Sequence, residues 1–197
     1  MRVVIALLRP VAWAPPGIEP SAFRAALAED VVDLLATLSE VEPAIAVGEA
    51  DRPLAAAVRW PSMRVYELSG PPTVHTALGA AAADGYTQAA VLPADAPDVP
   101  GLVLGKLLQP LTSRTVAVAP ALDGPGLLGL AARLPAPAWL PDVDLDAADP
   151  AEVRAAAPRP GDVAVTPGWH RLRAPAGLYR LDPALEGWDA TRALLGG

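Results

Sequence analysis

A chain of 197 residues with no cysteine fits one ordinary domain able to bury roughly 70% of its unfolded surface, and it cannot build disulfides, thiolate metal sites or a cysteine nucleophile. Its 22 acidic and 15 basic side chains, only one of them lysine (Lys106), give a formal net charge of -7; with no basic block or stripe, a nucleic-acid partner is not expected. No run approaches the roughly 20 apolar residues of a membrane helix, so a cytoplasmic protein with no membrane partner is expected.

Val3 to Leu8 is an apolar run ended by Arg9-Pro10, and it reads as a buried strand. It is too short for the apolar region of a secretory leader. After a loop containing Pro15-Pro16-Gly17, Glu19-Pro20-Ser21 opens a helix predicted to reach Leu38. Its apolar residues Phe23, Leu27, Val31, Leu34, Leu35 and Leu38 recur at three- and four-residue spacing, giving one buried face. Ala44 to Val47 and Arg64 to Leu68 predict the second and third strands. Thr73 to Ala83 predicts a small-residue helix stopped at Asp84-Gly85. Ala89 to Pro93 is the fourth strand, Gly101 to Leu108 a helix, Thr115 to Ala119 the fifth strand and Gly126 to Leu134 the sixth. From Pro135 to Pro167 the pattern weakens, apart from Asp149-Pro150, which suits the N-cap and first turn of a helix. Trp188 to Leu195 predicts a short final helix. This order predicts an α/β fold in three layers, with helices on both faces of a mostly parallel sheet. No repeat, linker or second domain is visible, so residues 1–197 are expected to form a single domain.

The turn Pro93-Ala94-Asp95-Ala96-Pro97-Asp98 follows a strand, and open parallel sheets bind ligands at the carboxyl ends of their strands. Carboxylates in such a turn can hold a divalent cation whose other positions go to water and phosphates. Asp95 is the better placed and Asp98 the second candidate. An Asx-turn at Asp95 and a helix cap at Asp98 would use the same residues, and both readings stay open. Asp123-Gly124 follows the fifth strand, in a tight turn that either brings backbone amides to a ligand or leads into the next strand. His75 reads as a helix-start residue and His170, in Gly168-Trp169-His170-Arg171, as a loop residue; neither has metal-site spacing. No nucleophile elbow, Walker loop or GxGxxG occurs. Asp142, Asp144 and Asp146 alternate, so an extended segment would put all three on one face. That face would bind a cation or, as the missing glycine and distal Glu of a calcium loop favour, face water.

Pro93-Ala-Asp95-Ala-Pro97-Asp98-Val-Pro100 and Leu122-Asp123-Gly124-Pro125-Gly126-Leu-Leu-Gly-Leu130 together resemble a pair of motifs. One is a small-x-Asp-x-Pro turn after an apolar strand; the other is an acidic-Asp-Gly-Gly turn leading into Leu-Leu-Gly-Leu. Over most of its first 135 residues the chain is similar to bacterial glycosyltransferase-A-like proteins related to molybdenum-cofactor guanylyltransferase and 2-phospholactate guanylyltransferase. The resemblance implies a nucleotide-diphospho-sugar transferase fold of the glycosyltransferase-A type. It implies a catalytic metal and phosphate role for Asp95, beside Pro93 and Ala94, and a substrate-positioning role for Asp123 and Gly124. Asp182 falls where the family carries a late Asp and is a further metal-ligand candidate beside Asp98, the second candidate of the strand-end turn, while Asp123 is counted with Asp95 as catalytic.

The loop after the first strand departs from that pattern. In the family it is rich in glycine with Lys and Arg and cradles the nucleotide phosphates. Here Arg9 to Pro20 has one glycine and no lysine, and Pro15 and Pro16 lack the N–H donors a cradle needs. Arg9 and Arg24 are the nearby cations left to offset phosphate charge. Pro125 replaces the second glycine of the Asp-Gly-Gly turn. The expected activity is a Mg²⁺- or Mn²⁺-dependent nucleotidyl- or glycosyltransferase using a nucleoside triphosphate or nucleotide sugar, with a rewritten phosphate loop. The alternative is a catalytically inactive relative serving as a binding or assembly protein; an apolar content of 52% leaves room for a homodimer surface.

Overall fold

The computed structural model describes residues 1–196 of the chain. Its strands are β1 (Arg2–Leu8), β2 (Glu42–Gly48), β3 (Arg64–Leu68), β4 (Gln88–Pro93), β5 (Val116–Pro120), β6 (Leu127–Arg133) and β7 (Val163–Val165). They form one seven-stranded sheet in the order β3-β2-β1-β4-β6-β5-β7. The pairs β1–β2, β1–β4, β2–β3 and β5–β7 are parallel, whereas β6 runs antiparallel to both β4 and β5. The mostly parallel sheet expected from the sequence is therefore present, and β6 is its exception. Only residues 121–126 separate β5 from β6, and a parallel return needs a crossover of a dozen residues or more.

The helices are α1 (Pro20–Thr37), α2 (Arg52–Val58), α3 (Val74–Ala83), α4 (Gly101–Leu108), α5 (Pro150–Ala156), α6 (Pro175–Leu178) and α7 (Asp189–Leu194). The sequence reading ran directly from the second strand to the third, and α2 corrects it. Two parallel neighbours require a crossover, and the short Arg52-Pro-Leu-Ala-Ala-Ala-Val58 supplies it with Pro53 in the first turn, where no N–H is needed. Asp149 caps α5 as expected, in a reciprocal box with Glu152, and Thr73 and Thr76 form a second capping box at α3.

β1 is buried on both faces, which is why it reads as an unbroken apolar run rather than an alternation. Val4, Ala6 and Leu8 join a core with α1, α2 and α4, through Val31, Leu35, Ala55, Leu104 and Leu107. Val3, Ile5 and Leu7 join the opposite core, with Ala77, Leu78 and Ala81 of α3 and Val153 of α5. A third, smaller cluster lies at one end of α1. There Phe23 and Leu27 meet Leu172, the loop residues Val11, Trp13 and Ile18, and Leu194 and Leu195 of the tail. The buried Asp30 of α1 accepts hydrogen bonds from Ala190 N (2.9 Å) and Thr191 N (2.8 Å). It thereby satisfies the free donors at the start of α7 from another helix. Among the described residues no helix is long and apolar enough to cross a membrane.

Candidate functional site

The sheet order turns back at β1. The chain moves outward through β2 and β3, then returns to the other flank of β1 as β4. The carboxyl ends of β1 and β4 lie side by side, with Leu7 opposite Pro93. This is the position at which open α/β sheets bind ligands, and a cleft opens there. Leu7, Leu8 and Leu54 contribute apolar lining, Asp95 and Asp146 contribute carboxylates, and Arg9, Arg24, Arg171 and Arg173 contribute cations. Of the residues singled out from the sequence, Arg9, Arg24, Pro93, Ala94 and Asp95 all line this cleft.

Asp95 begins the turn after β4 and is 8% exposed. Its two oxygens receive Arg171 Nε and Nη2, each at 2.7 Å, in a parallel two-pronged pair. Arg171 is the largest fully buried side chain of the protein. Its remaining donors reach Leu127 O (3.2 Å), Leu145 O (2.8 Å) and Asp146 Oδ1 (2.6 Å). All five guanidinium N–H groups thus have an acceptor. Burial works against the guanidinium charge, but the Asp95 carboxylate, through its field and hydrogen bonds, and then Asp146 raise the Arg171 pKa above its ordinary value.

The segment around Arg171 is fastened across the strand ends. Asp98, 3% exposed, accepts from Trp169 Nε1 at 3.1 Å, and its other oxygen pairs with His170 Nε2 at 2.9 Å. Leu172 N donates to Asp95 O at 2.7 Å, and Leu122 N to Trp169 O at 3.1 Å. Asp123 Oδ2 accepts from Arg171 N at 3.2 Å, while its Oδ1 is buried without a partner. Gly126, at φ +101°, passes so close to Leu145 and Asp146 that a Cβ would overlap their backbone. Gly168 is equally constrained by Pro120 O.

These contacts assign the predicted residues. Asp98 neither caps α4, whose N-cap is Pro100, nor faces the cleft; it holds Trp169 and His170. His170, read from the sequence as a plain loop residue, is buried in that contact. Asp123 is turned toward the Arg171 backbone, and neither it nor Gly124 lines the cleft. Asp182 is exposed and accepts from Ala184 N within its own turn (2.8 Å), away from the cleft lining. The acidic run alternates as predicted, but its polar face does not simply meet water. Asp144 and Asp146 pair with Arg9 at 2.8 and 3.4 Å, and the Arg9 hydrogen bond holds the Asp144 carboxyl below its usual range.

The rewritten loop after β1 is anchored by apolar contacts. Trp13 meets Phe23 edge to face, with centroids 5.8 Å apart, and Val11 and Ile18 pack against the same cluster. Arg24 ties the start of the loop, donating from Nε to Arg9 O (3.0 Å) and from Nη1 to Asp51 (2.6 Å). Its Nη2 is buried without a partner.

The two strand-end carboxylates expected to hold a divalent cation, Asp95 and Asp98, have no free oxygen for one. Among the described residues no three His, Cys, Asp or Glu side chains gather in a cation-sized group.

No protein-family model matches the chain, and no curated protein matches it by sequence. Solved structures do. One is a Desulfovibrio desulfuricans G20 protein assigned as a nucleotide-diphospho-sugar transferase: TM-score 0.63, 20% identity, covering 99% of this chain and 96% of that one. Another is CMP:2-keto-3-deoxy-manno-octonic acid synthetase complexed with CTP: TM-score 0.58, 13% identity, 99% and 98% coverage. A third is Rv0371c from Mycobacterium tuberculosis H37Rv in complex with manganese: TM-score 0.52, 17% identity, 100% and 97% coverage. The chain has the α/β fold of the nucleotide-diphospho-sugar transferases. The likeness extends over nearly the whole length of each of these structures.

Proposed function

We propose that this chain binds a nucleoside triphosphate or nucleotide sugar in the cleft above β1 and β4, as a nucleotidyl- or glycosyltransferase-type protein with an altered phosphate loop. The observation that carries this reading is the set of cations at the strand switch point: Arg9, Arg24 and Arg173 lie with Arg171 around one cleft. With no lysine in the loop, and Pro10, Pro15 and Pro16 lacking an N–H, the phosphates would be met by guanidinium groups. Arg9 is the most available, since its partner Asp144 is itself half exposed and such a surface pair contributes little to stability. Exchanging that carboxylate for a phosphate leaves the cation compensated. The apolar stretch of Leu7, Leu8 and Leu54 suits the uncharged part of the ligand.

A second reading, a non-catalytic binding relative, is favoured by one feature. Arg171 saturates Asp95, the carboxylate expected to carry the chemistry. Calorimetric titration with nucleoside triphosphates and nucleotide sugars tests the shared claim of binding. Arg9→Ala is expected to weaken binding by about tenfold or more, the effect of losing a charge-assisted hydrogen bond. Equal affinity in the variant would remove Arg9 from the site. Release of pyrophosphate or nucleoside diphosphate from a bound ligand then separates transfer from binding alone.

A further inference from the structure

Two carboxylates from different loops, Asp95 after β4 and Asp146 after β6, converge on one group, the Arg171 guanidinium. Bridging two such carboxylates at a strand end is work suited to a divalent cation, and a protein of this fold has been solved with manganese. We infer that Arg171 is a built-in replacement for that cation, so that this cleft takes its anionic ligand without a divalent metal. The inference rests on the nucleotide-site reading for its ligand but not for its geometry.

Several observations support it independently of any ligand. The guanidinium is planar, and it meets Asp95 through two parallel bonds; a lysine could not reproduce that fork. Every donor is used, two of them on the carbonyls of Leu127 and Leu145, so the side chain is specified in place. Its backbone is fixed on both sides, by Asp123 on Arg171 N and by Asp95 O on Leu172 N. Asp98, the neighbouring carboxylate, spends both oxygens on Trp169 and His170 and so fastens the same segment. An incoming cation would have to displace a buried charge of its own sign and then find oxygen ligands, six or more for the commoner ions. Both oxygens of Asp95, the buried carboxylate at the centre, are already committed to Arg171.

The charge also balances: three carboxylates, Asp95, Asp144 and Asp146, face three guanidinium groups, with Arg9 (3.4 Å) and Arg173 (3.8 Å) beside Asp146 and Arg9 also on Asp144. Arg171 has no donor left for a ligand. It therefore acts as a positioning residue, holding Asp95 and Asp146 together while Arg9 and Arg173 face the cleft.

The test is Mn²⁺ titration of the whole protein followed by paramagnetic resonance, with nucleotide affinity measured in parallel in EDTA and in Mn²⁺. The wild-type chain is expected to leave the free-Mn²⁺ signal unchanged. Its nucleotide affinity should agree within about threefold between the two buffers, well under a tenfold step. Arg171→Ala frees both carboxylates and opens space, so it should gain one Mn²⁺ site that Arg171→Ala combined with Asp95→Asn loses. Stoichiometric Mn²⁺ binding by the wild type, abolished by Asp95→Asn, would overturn the inference even if Arg171→Ala cannot be folded. Nucleotide binding that requires Mn²⁺ would also overturn it while leaving the nucleotide site intact. Absence of nucleotide binding in both buffers would instead remove the ligand reading, and the wild-type Mn²⁺ titration would then decide the inference alone.

Discussion

Replacing Arg171 by Met removes all five guanidinium donors while keeping most of the side chain's length and apolar stem. Asp146 is 43% exposed and can rehydrate, but the Asp95 side chain is only 11% exposed and cannot. The variant therefore leaves a buried carboxylate uncompensated, together with the carbonyls of Leu127 and Leu145. Removing one partner of a buried ion pair costs about 3–5 kcal/mol. For a domain of this size that corresponds to a fall in melting temperature of about 6–20 °C, at about 2–4 °C per kcal/mol. Substituting both partners, Arg171→Met with Asp95→Leu, removes the stranded charge. Buried pairs replaced by apolar residues are often neutral, so the double variant should be more stable than Arg171→Met alone. Urea unfolding followed by circular dichroism supplies the three free energies of the cycle. A loss below about 1 kcal/mol for Arg171→Met, or strictly additive single losses, would refute the view that this pair is buried and coupled.

Asp30→Ala should cost about 1–3 kcal/mol by stranding the donors of Ala190 and Thr191, and the loss should appear as faster amide exchange in α7. Burial raises the Asp30 carboxyl above the ordinary aspartate value of 3.8, so its contribution is full below that value and is lost as pH rises through the raised pKa. The stability difference between wild type and Asp30→Asn, measured by urea unfolding, should therefore shrink over that interval. Asp144 has the opposite sign: the Arg9 hydrogen bond lowers its carboxyl, so its contribution is present above 3.8 and lost as pH falls through the lowered value. Asp144→Asn should abolish that acid-side loss, and added salt should weaken it. Gly126→Ala combines a positive φ with overlap on Leu145 and Asp146; a loss of at least about 1–3 kcal/mol from backbone strain, read by thermal unfolding, is expected.

Much of the fold is legible because its signals are local. β1 declares itself as an apolar run, α4 lies where its composition places it, and Asp149-Pro150 marks the start of α5. The elements that escape are too short for periodicity to show: α2, α6 and the three-residue β7. Asp95 is visible from its place after an apolar strand. Arg171 is not, because its partner lies 76 residues away and nothing beside it in sequence announces the pairing. The one signal was compositional: Arg171 and Arg173 stand together in a chain with few bases, opposite an alternating acidic run that needed partners. The same long-range pairing explains Asp98, whose short local motif suits a helix cap until Trp169 and His170 are brought against it.

Binding of an anionic nucleotide in the arginine-lined cleft over β1 and β4 is tested most directly by a thermal-shift panel. Nucleoside triphosphates and nucleotide sugars would each be added at saturating concentration, to the wild type and to Arg9→Ala. A ligand at about 100 times its dissociation constant adds roughly 2.7 kcal/mol, or about 5–10 °C here. The account predicts such a rise for at least one ligand with the wild type and a smaller one with Arg9→Ala. A well-folded sample whose melting temperature none of these ligands changes would contradict it.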